Sequence, residues 1–362
     1  MKDKGSKTGV KCFNFNFNIN CKMKIISLAL TAIFLSSFSF GQTLNDEKKR
    51  DNAFYKASNK WFAAWKLVSN NIYKIDKVQP VEFVFFDDKY VYSTSTTTIK
   101  KGTPVKGCNL MNLSFKWKKT IHHDSITLPD KSRLALRLMS FAAEIPGKKN
   151  KSFFVMPLPD YWEKSGTTSK EFGLDNLVTG VFIHEFSHSQ QMQNFGKRIT
   201  LFEKQNNFAV EFSDDIVQDI FLKDSSYLSL YNKEVQIFFQ SIQEKTVDTL
   251  MVKDGLRIMT KRQSSYFKEQ FLNLKEIDNF FLTMEGLGQY SMYLWLTHPK
   301  GGNIKKNIAV QGVRRGGKWW SQDEGFALFL ILDKLTKPDS WAKNMFGYKT
   351  ENIIDLIGKY LQ

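Results

Sequence analysis

Between Asn45 and Asn71, Phe54, Trp61, Trp65 and Val68 recur at steps of seven, four and three. That period places them on one face of an amphipathic helix, with Phe62 and Leu67 widening the stripe. Two β-rich runs follow, Val81 to Phe86 and Tyr90 to Thr98, and the Asp87, Asp88 and Lys89 between them predict a hairpin. Ser125 to Leu128 and Ser152 to Met156 continue the strand character, each running into a proline, Pro129 or Pro157. Residues 78 to 160 therefore predict a mixed sheet, with some helix around Leu134 to Ala143. Beyond Ser165 the apolar period changes to that of helices. Leu177, Val178, Val181, Phe182 and Ile183 lead into HEFSHSQQMQ, where Gly196 reads as a stop. Two or three helices are predicted from Phe212 to Phe281, with Asp248 and Gly255 near the joints. Two more, Leu282 to Leu296 and Glu324 to Leu335, flank a Gly-rich basic loop.

This order, sheet first and helices after, predicts an α+β fold. The mixed sheet falls in the amino-terminal half (42–170) and the helical portion carrying the chemistry in 171–362. With 42% apolar and 14% aromatic residues the chain can bury a large core, which excludes disorder as a description of the whole. Residues 23 to 41, MKIISLALTAIFLSSFSFG, have the short positive start, apolar stretch and small-residue end of a secretory signal peptide. Residues 1 to 22 read as a start-site extension before a second initiator at Met23. The expected location is periplasmic or extracellular. No later run reaches the roughly 18 apolar residues of a membrane span. The formal charge of +16 includes six lysines and one aspartate of residues 1–41, so +11 remains after them. There is no Arg-rich helix, RNP-like sequence or zinc finger, so nucleic acid is not an expected partner. Cys108 alone remains beyond the leader, so the fold has no intrachain disulfide framework.

His184, Glu185 and His188 form His-Glu-x-x-His on a predicted helix. Positions i and i+4 share a helical face, so two imidazoles can converge on one cation while Glu185 stands beside them to polarise water. Five histidines in 362 residues make an accidental match rare. Zinc suits the set, since imidazole binds it well and catalytic zinc keeps three protein ligands and an open position.

At this point the sequence resembles the zincin metallopeptidases, and among them the gluzincins, whose third ligand is a glutamate on a later helix. Gln191 and Asn194 stand where the metzincin pattern expects Gly and His, so that branch does not fit. Three glutamates compete for the third position. Glu285, in TMEGLGQYSMY, is 97 residues after His188 and looks like the Glu-Gly-x-x-x-Tyr helix of aminopeptidase-like gluzincins. Glu211, 23 residues after His188, has the thermolysin-like spacing, with Asp215 four residues on as an orienting carboxylate. Glu324, in QDEGFALF, shares the Glu-Gly start without the tyrosine. Glu285 is preferred for its setting: a carboxylate among Phe280, Phe281, Leu282, Leu287 and Met292 is costly unless a cation pairs with it. Gly286 and Gly288 would let its helix approach the histidine helix closely.

By role, zinc on His184, His188 and Glu285 would activate water, with Glu185 as the proton acceptor. Tyr290, Tyr293 and His298 are candidates to stabilise an oxyanion, Tyr290 first. In zincins a strand beside the cleft holds extended substrate, and Lys151 to Pro159 is the best local match. Arg314, Arg315 and Lys318 are candidates to receive a substrate carboxylate; His122 and His123 are assigned no metal role. The expected function is that of a secreted zinc metallopeptidase acting on peptides or proteins. The alternatives are a zinc hydrolase of another amide or ester, and a non-catalytic envelope or surface binding protein.

Overall fold

The computed structural model describes residues 39–148, 151–206, 208, 210, 212–347 and 350–361. The extension 1–22, most of the leader 23–41, and Glu211 lie outside the described residues. Helix α1 (Ser39–Lys66) opens the described chain and ends in a π turn, Leu67–Ile72. Strands β1 (Val81–Phe86), β2 (Tyr90–Ser93), β3 (Thr103–Pro104), β4 (Lys118–Ile121), β5 (Ser125–Thr127), β6 (Arg133–Ala135), β7 (Phe141–Glu144) and β8 (Ser152–Pro157) follow. Six of them form one sheet in the order β3-β4-β2-β1-β8-β7, with β5 and β6 as a separate hairpin. The sheet is mixed: β1 runs parallel to β8, while β2 on β1 and β7 on β8 are antiparallel.

Both faces of this sheet are covered, which is why Phe83 to Phe86 of β1 read as an unbroken apolar run rather than an alternation. Phe83 and Phe85 point into the main core with Phe154 and Met156 of β8. Val84 and Phe86 point the other way, into a smaller core with Phe141, Phe153 and Ile126. On the main side Phe54 of α1 stacks on Tyr92, with ring centroids 4.5 Å apart.

Two local readings are corrected here. The stretch Leu134 to Ala143 is not helical, because Phe141, Ala142 and Ala143 serve both cores from strand β7. Lys151 to Pro159 cannot be the substrate-holding edge, because β8 has β1 on one side and β7 on the other. The outer strand on that side is β7.

Short helix α2 (Pro159–Lys164) leads to α3 (Leu174–Gln191), the helix of the His-Glu-x-x-His motif. Trp61 of α1 stacks on Phe182 of α3 at 5.3 Å, so α3 is clamped against α1 and the sheet. Gly196 does not end this segment. It keeps right-handed helical angles in a π turn running into α4 (Lys197–Gln205), and a β-carbon there would lie 2.6 Å from Met192 Sδ.

The remaining chain is helical: α5 (Ile216–Phe221), α6 (Ser225–Ser241), α7 (Thr249–Tyr266), α8 (Leu274–Thr297), α9 (Lys306–Arg314), α10 (Trp320–Leu335), α11 (Pro338–Trp341) and α12 (Ile353–Tyr360). Asp224 and Asp248 cap α6 and α7 through their carboxylates. Gly255 lies inside α7 rather than at a joint, against the Phe238 ring. Helix α8 packs between α3 and α10, so it is buried on nearly every face, as its apolar sequence requires. Its closest crossing is at Gly286, where a β-carbon would fall 2.5 Å from the carbonyl carbon of Gly325 in α10. Sheet and helices share one continuous core from Phe54 to Leu361. Among the described residues no helix is long and apolar enough to cross a membrane.

Candidate metal centre

Helices α3 and α8 bring His184, His188 and Glu285 together. His184 Nε2 is 3.1 Å from His188 Nε2 and 3.1 Å from Glu285 Oε2, and His188 Nε2 is 3.2 Å from Glu285 Oε1. Each of the three side chains is about 99% buried (1% exposed). The approach is possible because position 288 is glycine: a β-carbon there would lie 2.7 Å from His184 Nδ1. Gly286, by contrast, serves the α8 to α10 crossing rather than the histidine helix.

The protons can be assigned from the network. Gln191 Nε2 donates to the Met345 carbonyl, which turns Gln191 Oε1 toward His188 Nδ1 at 3.3 Å. A proton on Nδ1 satisfies that contact, and in this tautomer the Nε2 lone pair faces the other two groups. Burial lowers the His184 pKa to about 4, so that ring is neutral at pH 7. Burial pushes against an ionised Glu285, but the two imidazoles beside it hold its carboxyl below the usual range. With both Nε2 atoms unprotonated, three electron-pair donors meet in a dry interior, an arrangement that repels unless a cation lies among them. In tetrahedral sites with bonds of about 2.0–2.1 Å the ligand atoms sit about 3.3 Å apart, close to the 3.1–3.2 Å seen. The group fits a metal ion, and among the described residues it is the only cluster of three His, Cys, Asp or Glu that does.

Glu185 is next to His184, 2% exposed, and its Oε2 has no hydrogen-bond partner among the described residues. Burial, then the charges of Glu285 and Asp214, push its pKa well up, with Arg315 pulling the other way. Asp214 and Asp215 are themselves raised by burial and by Glu285, Asp215 to about 7. Arg315 enters from the basic loop. Its backbone is left-handed (φ 51°, ψ 37°), Gly316 and Gly317 continue at positive φ, and its Nη2 is buried. Burial lowers its pKa while the Glu185 charge supports the cation.

Other candidates are placed elsewhere. The Tyr290 hydroxyl donates to Asp333 Oδ1 of α10 at 2.5 Å, and its ring stacks on Phe329. Five residues turn a helix by about 500°, so Tyr290 points some 140° away from Glu285. Tyr293 packs on Tyr290 and Phe326, and His298 Nδ1 accepts from Lys300 N just past α8. Glu324 is not brought to the triad: with Glu234 it surrounds Arg262, whose Nη2 lies 3.4 Å from Glu324 Oε2. Arg314 is held by Asp323 through two contacts of 2.8 and 3.0 Å, and Lys318 lies over Trp319. Of the three basic candidates only Arg315 is at the site.

Sequence reading missed Gln191, Gln289 and Gln322. Gln322 Nε2 lies 3.2 Å from Glu285 Oε2, and it sits two residues before Glu324 in the phrase already singled out. Comparison of the chain with protein families, with curated proteins and with solved structures gives no match.

Proposed function

We propose that the chain is an exported, zinc-dependent hydrolase of the gluzincin-like zincin type that cleaves peptide bonds in peptides or proteins. The observation that carries this reading is the meeting of His184, His188 and Glu285 in the interior, with the carboxyl of Glu185 beside them on the same helix. Two imidazoles and one carboxylate favour zinc among biological cations. When bound, zinc supplies Lewis acidity, acidifying water and polarising a carbonyl.

The chain's own groups divide the remaining work. Glu185, buried beside the ligands on the same helix, takes up the proton released by water. Arg315 holds positive charge on the Glu185 side, where it suits negative charge developing on a substrate. Gln191 keeps the His188 ring in the tautomer that presents Nε2. The mixed sheet with its antiparallel outer strand β7 beside α3 is in keeping with the zincin layout, and β7 is the strand with an edge to offer an extended peptide.

Glu185→Gln tests this. It should abolish hydrolysis of a peptide library, a loss of at least about 10³-fold, while metal content stays at the wild-type level. Hydrolysis that survives in Glu185→Gln contradicts the reading. A second reading is favoured by closure of the site, since His184, Glu185, His188 and Glu285 each expose 2% or less. In it the centre binds metal without turnover, as in a surface binding protein. Wild-type chains that hold metal and cleave no peptide, amide or ester would support that version.

A further inference from the structure

Glu285 is held from behind by helix α10. Gln322 Nε2 donates to Glu285 Oε2 at 3.2 Å, and Gln289 Nε2 donates to Gln322 Oε1 at 2.5 Å. The direction of this chain is forced. A carboxylate only accepts, so Gln322 must turn its nitrogen to Glu285 and its oxygen to Gln289, which must answer with its own nitrogen. Gln289 follows Glu285 by four residues and shares its face of α8. The relay therefore leaves α8, crosses to α10 and returns one turn further on. Gln289 is 1% exposed and Gln322 8%, so water does not readily replace either amide once it is removed.

The same chemistry recurs behind His188, where Gln191 Oε1 meets Nδ1 and is oriented by the Met345 carbonyl. At both places the supporting group is a neutral carboxamide. A carboxylate there would add negative charge to the centre and make the ligand it touches more basic. A carboxamide fixes the ligand's direction and leaves the charge unchanged.

We propose that Gln322, itself oriented by Gln289, is the positioning residue that sets Glu285 for metal binding, so that the centre is supported by a carboxamide relay between α8 and α10. The inference rests on the metal centre of His184, His188 and Glu285. Without Gln322 the Glu285 carboxylate loses its donor on α10 and must be re-fixed each time an ion binds.

The test is a zinc titration of the full chain in competition with a chromophoric chelator, run on wild type, Glu285→Ala, Gln322→Leu, Gln289→Leu and the double glutamine variant. Thermal unfolding of the metal-free chains is followed in parallel. Gln322→Leu should weaken zinc binding 10- to 100-fold. Gln289→Leu should weaken it less, and the double variant no more than Gln322→Leu alone, because Gln289 acts through Gln322. A role in folding alone would lower the unfolding midpoint and leave zinc affinity unmoved, and that result overturns the inference. So do losses from the two glutamines that simply add. If wild type binds no zinc, or Glu285→Ala binds it as well as wild type does, the metal centre itself fails and the relay with it. If Glu285→Ala loses zinc while Gln322→Leu and Gln289→Leu match wild type, only the relay fails. Should Gln322→Leu not fold, Gln289→Leu, which does not touch Glu285 directly, decides alone: unchanged zinc affinity overturns the relay.

Discussion

Tyr290 keeps its proton, because burial and the neighbouring Asp333 push its pKa well above the usual phenol range, and it spends that proton on Asp333. Tyr290→Phe should therefore cost about 1 kcal/mol of stability by removing one partly buried hydrogen bond, while metal content and turnover stay at wild-type values. Denaturant unfolding and a peptide assay check it, and a turnover drop of 100-fold at full metal content would return Tyr290 to the chemistry. At this scale the sequence was readable wherever helical spacing alone fixes geometry. His184, Glu185 and His188 follow from i and i+4 on one helix. Glu285 follows from the cost of a carboxylate among apolar neighbours. Tyr290 was assigned by likeness of phrase, and the same spacing rule turns it away. Gln322 was not readable, since its contact with Glu285 depends on how α8 and α10 cross.

The crossing of α8 and α10 is the element on which the site depends, since one helix carries Glu285 and the other Gln322. Gly286 and Gly325 make it close enough. A β-carbon at 286 would meet backbone atoms of α10 at 2.5–2.7 Å, and backbone cannot step aside as a side chain does. Gly286→Ala should cost about 2–3 kcal/mol and lower metal occupancy with it, read by denaturant unfolding and metal analysis of the same sample. A stable, fully loaded Gly286→Ala would contradict this account of the crossing. Sequence periodicity foresaw both helices, and the glycines as points of close approach. It paired Gly286 with the wrong neighbour, because one chain's pattern does not say which helix lies opposite. Strand β7 was missed for a related reason: Phe-Ala-Ala is too short a run to tell strand from helix until β8 pairs with it.

Across the whole molecule, α6, α7, α8 and α10 are tied together by Arg262, whose Nε bonds Glu234 Oε1 at 2.6 Å, with Asp278, Glu324 and the Tyr227 hydroxyl around it. One buried cation faces three carboxyls, so burial and mutual repulsion raise Glu324 well above its usual pKa and Glu234 up to about 7. A carboxyl raised on folding binds a proton that the unfolded chain releases near 4.5. Its share of stability is therefore full below about pH 4.5 and is lost as pH climbs toward 7 and beyond. Glu324→Gln, which imitates the protonated form, should match wild type at pH 5 and melt at an equal or higher temperature at pH 8. A greater loss at pH 8 than at pH 5 would reverse the assignment. The α+β order was legible from where period two gives way to period 3.6. This cluster was not, since its members are spread from Tyr227 to Glu324 and only the tertiary fold gathers them. The central claim, that His184, His188 and Glu285 hold one metal ion, is tested most directly by metal content per chain for purified wild type, Glu285→Ala and Glu211→Ala. The account predicts about one zinc in wild type and in Glu211→Ala and a large loss in Glu285→Ala. Wild type without metal after supplementation, or loss confined to Glu211→Ala, would contradict it.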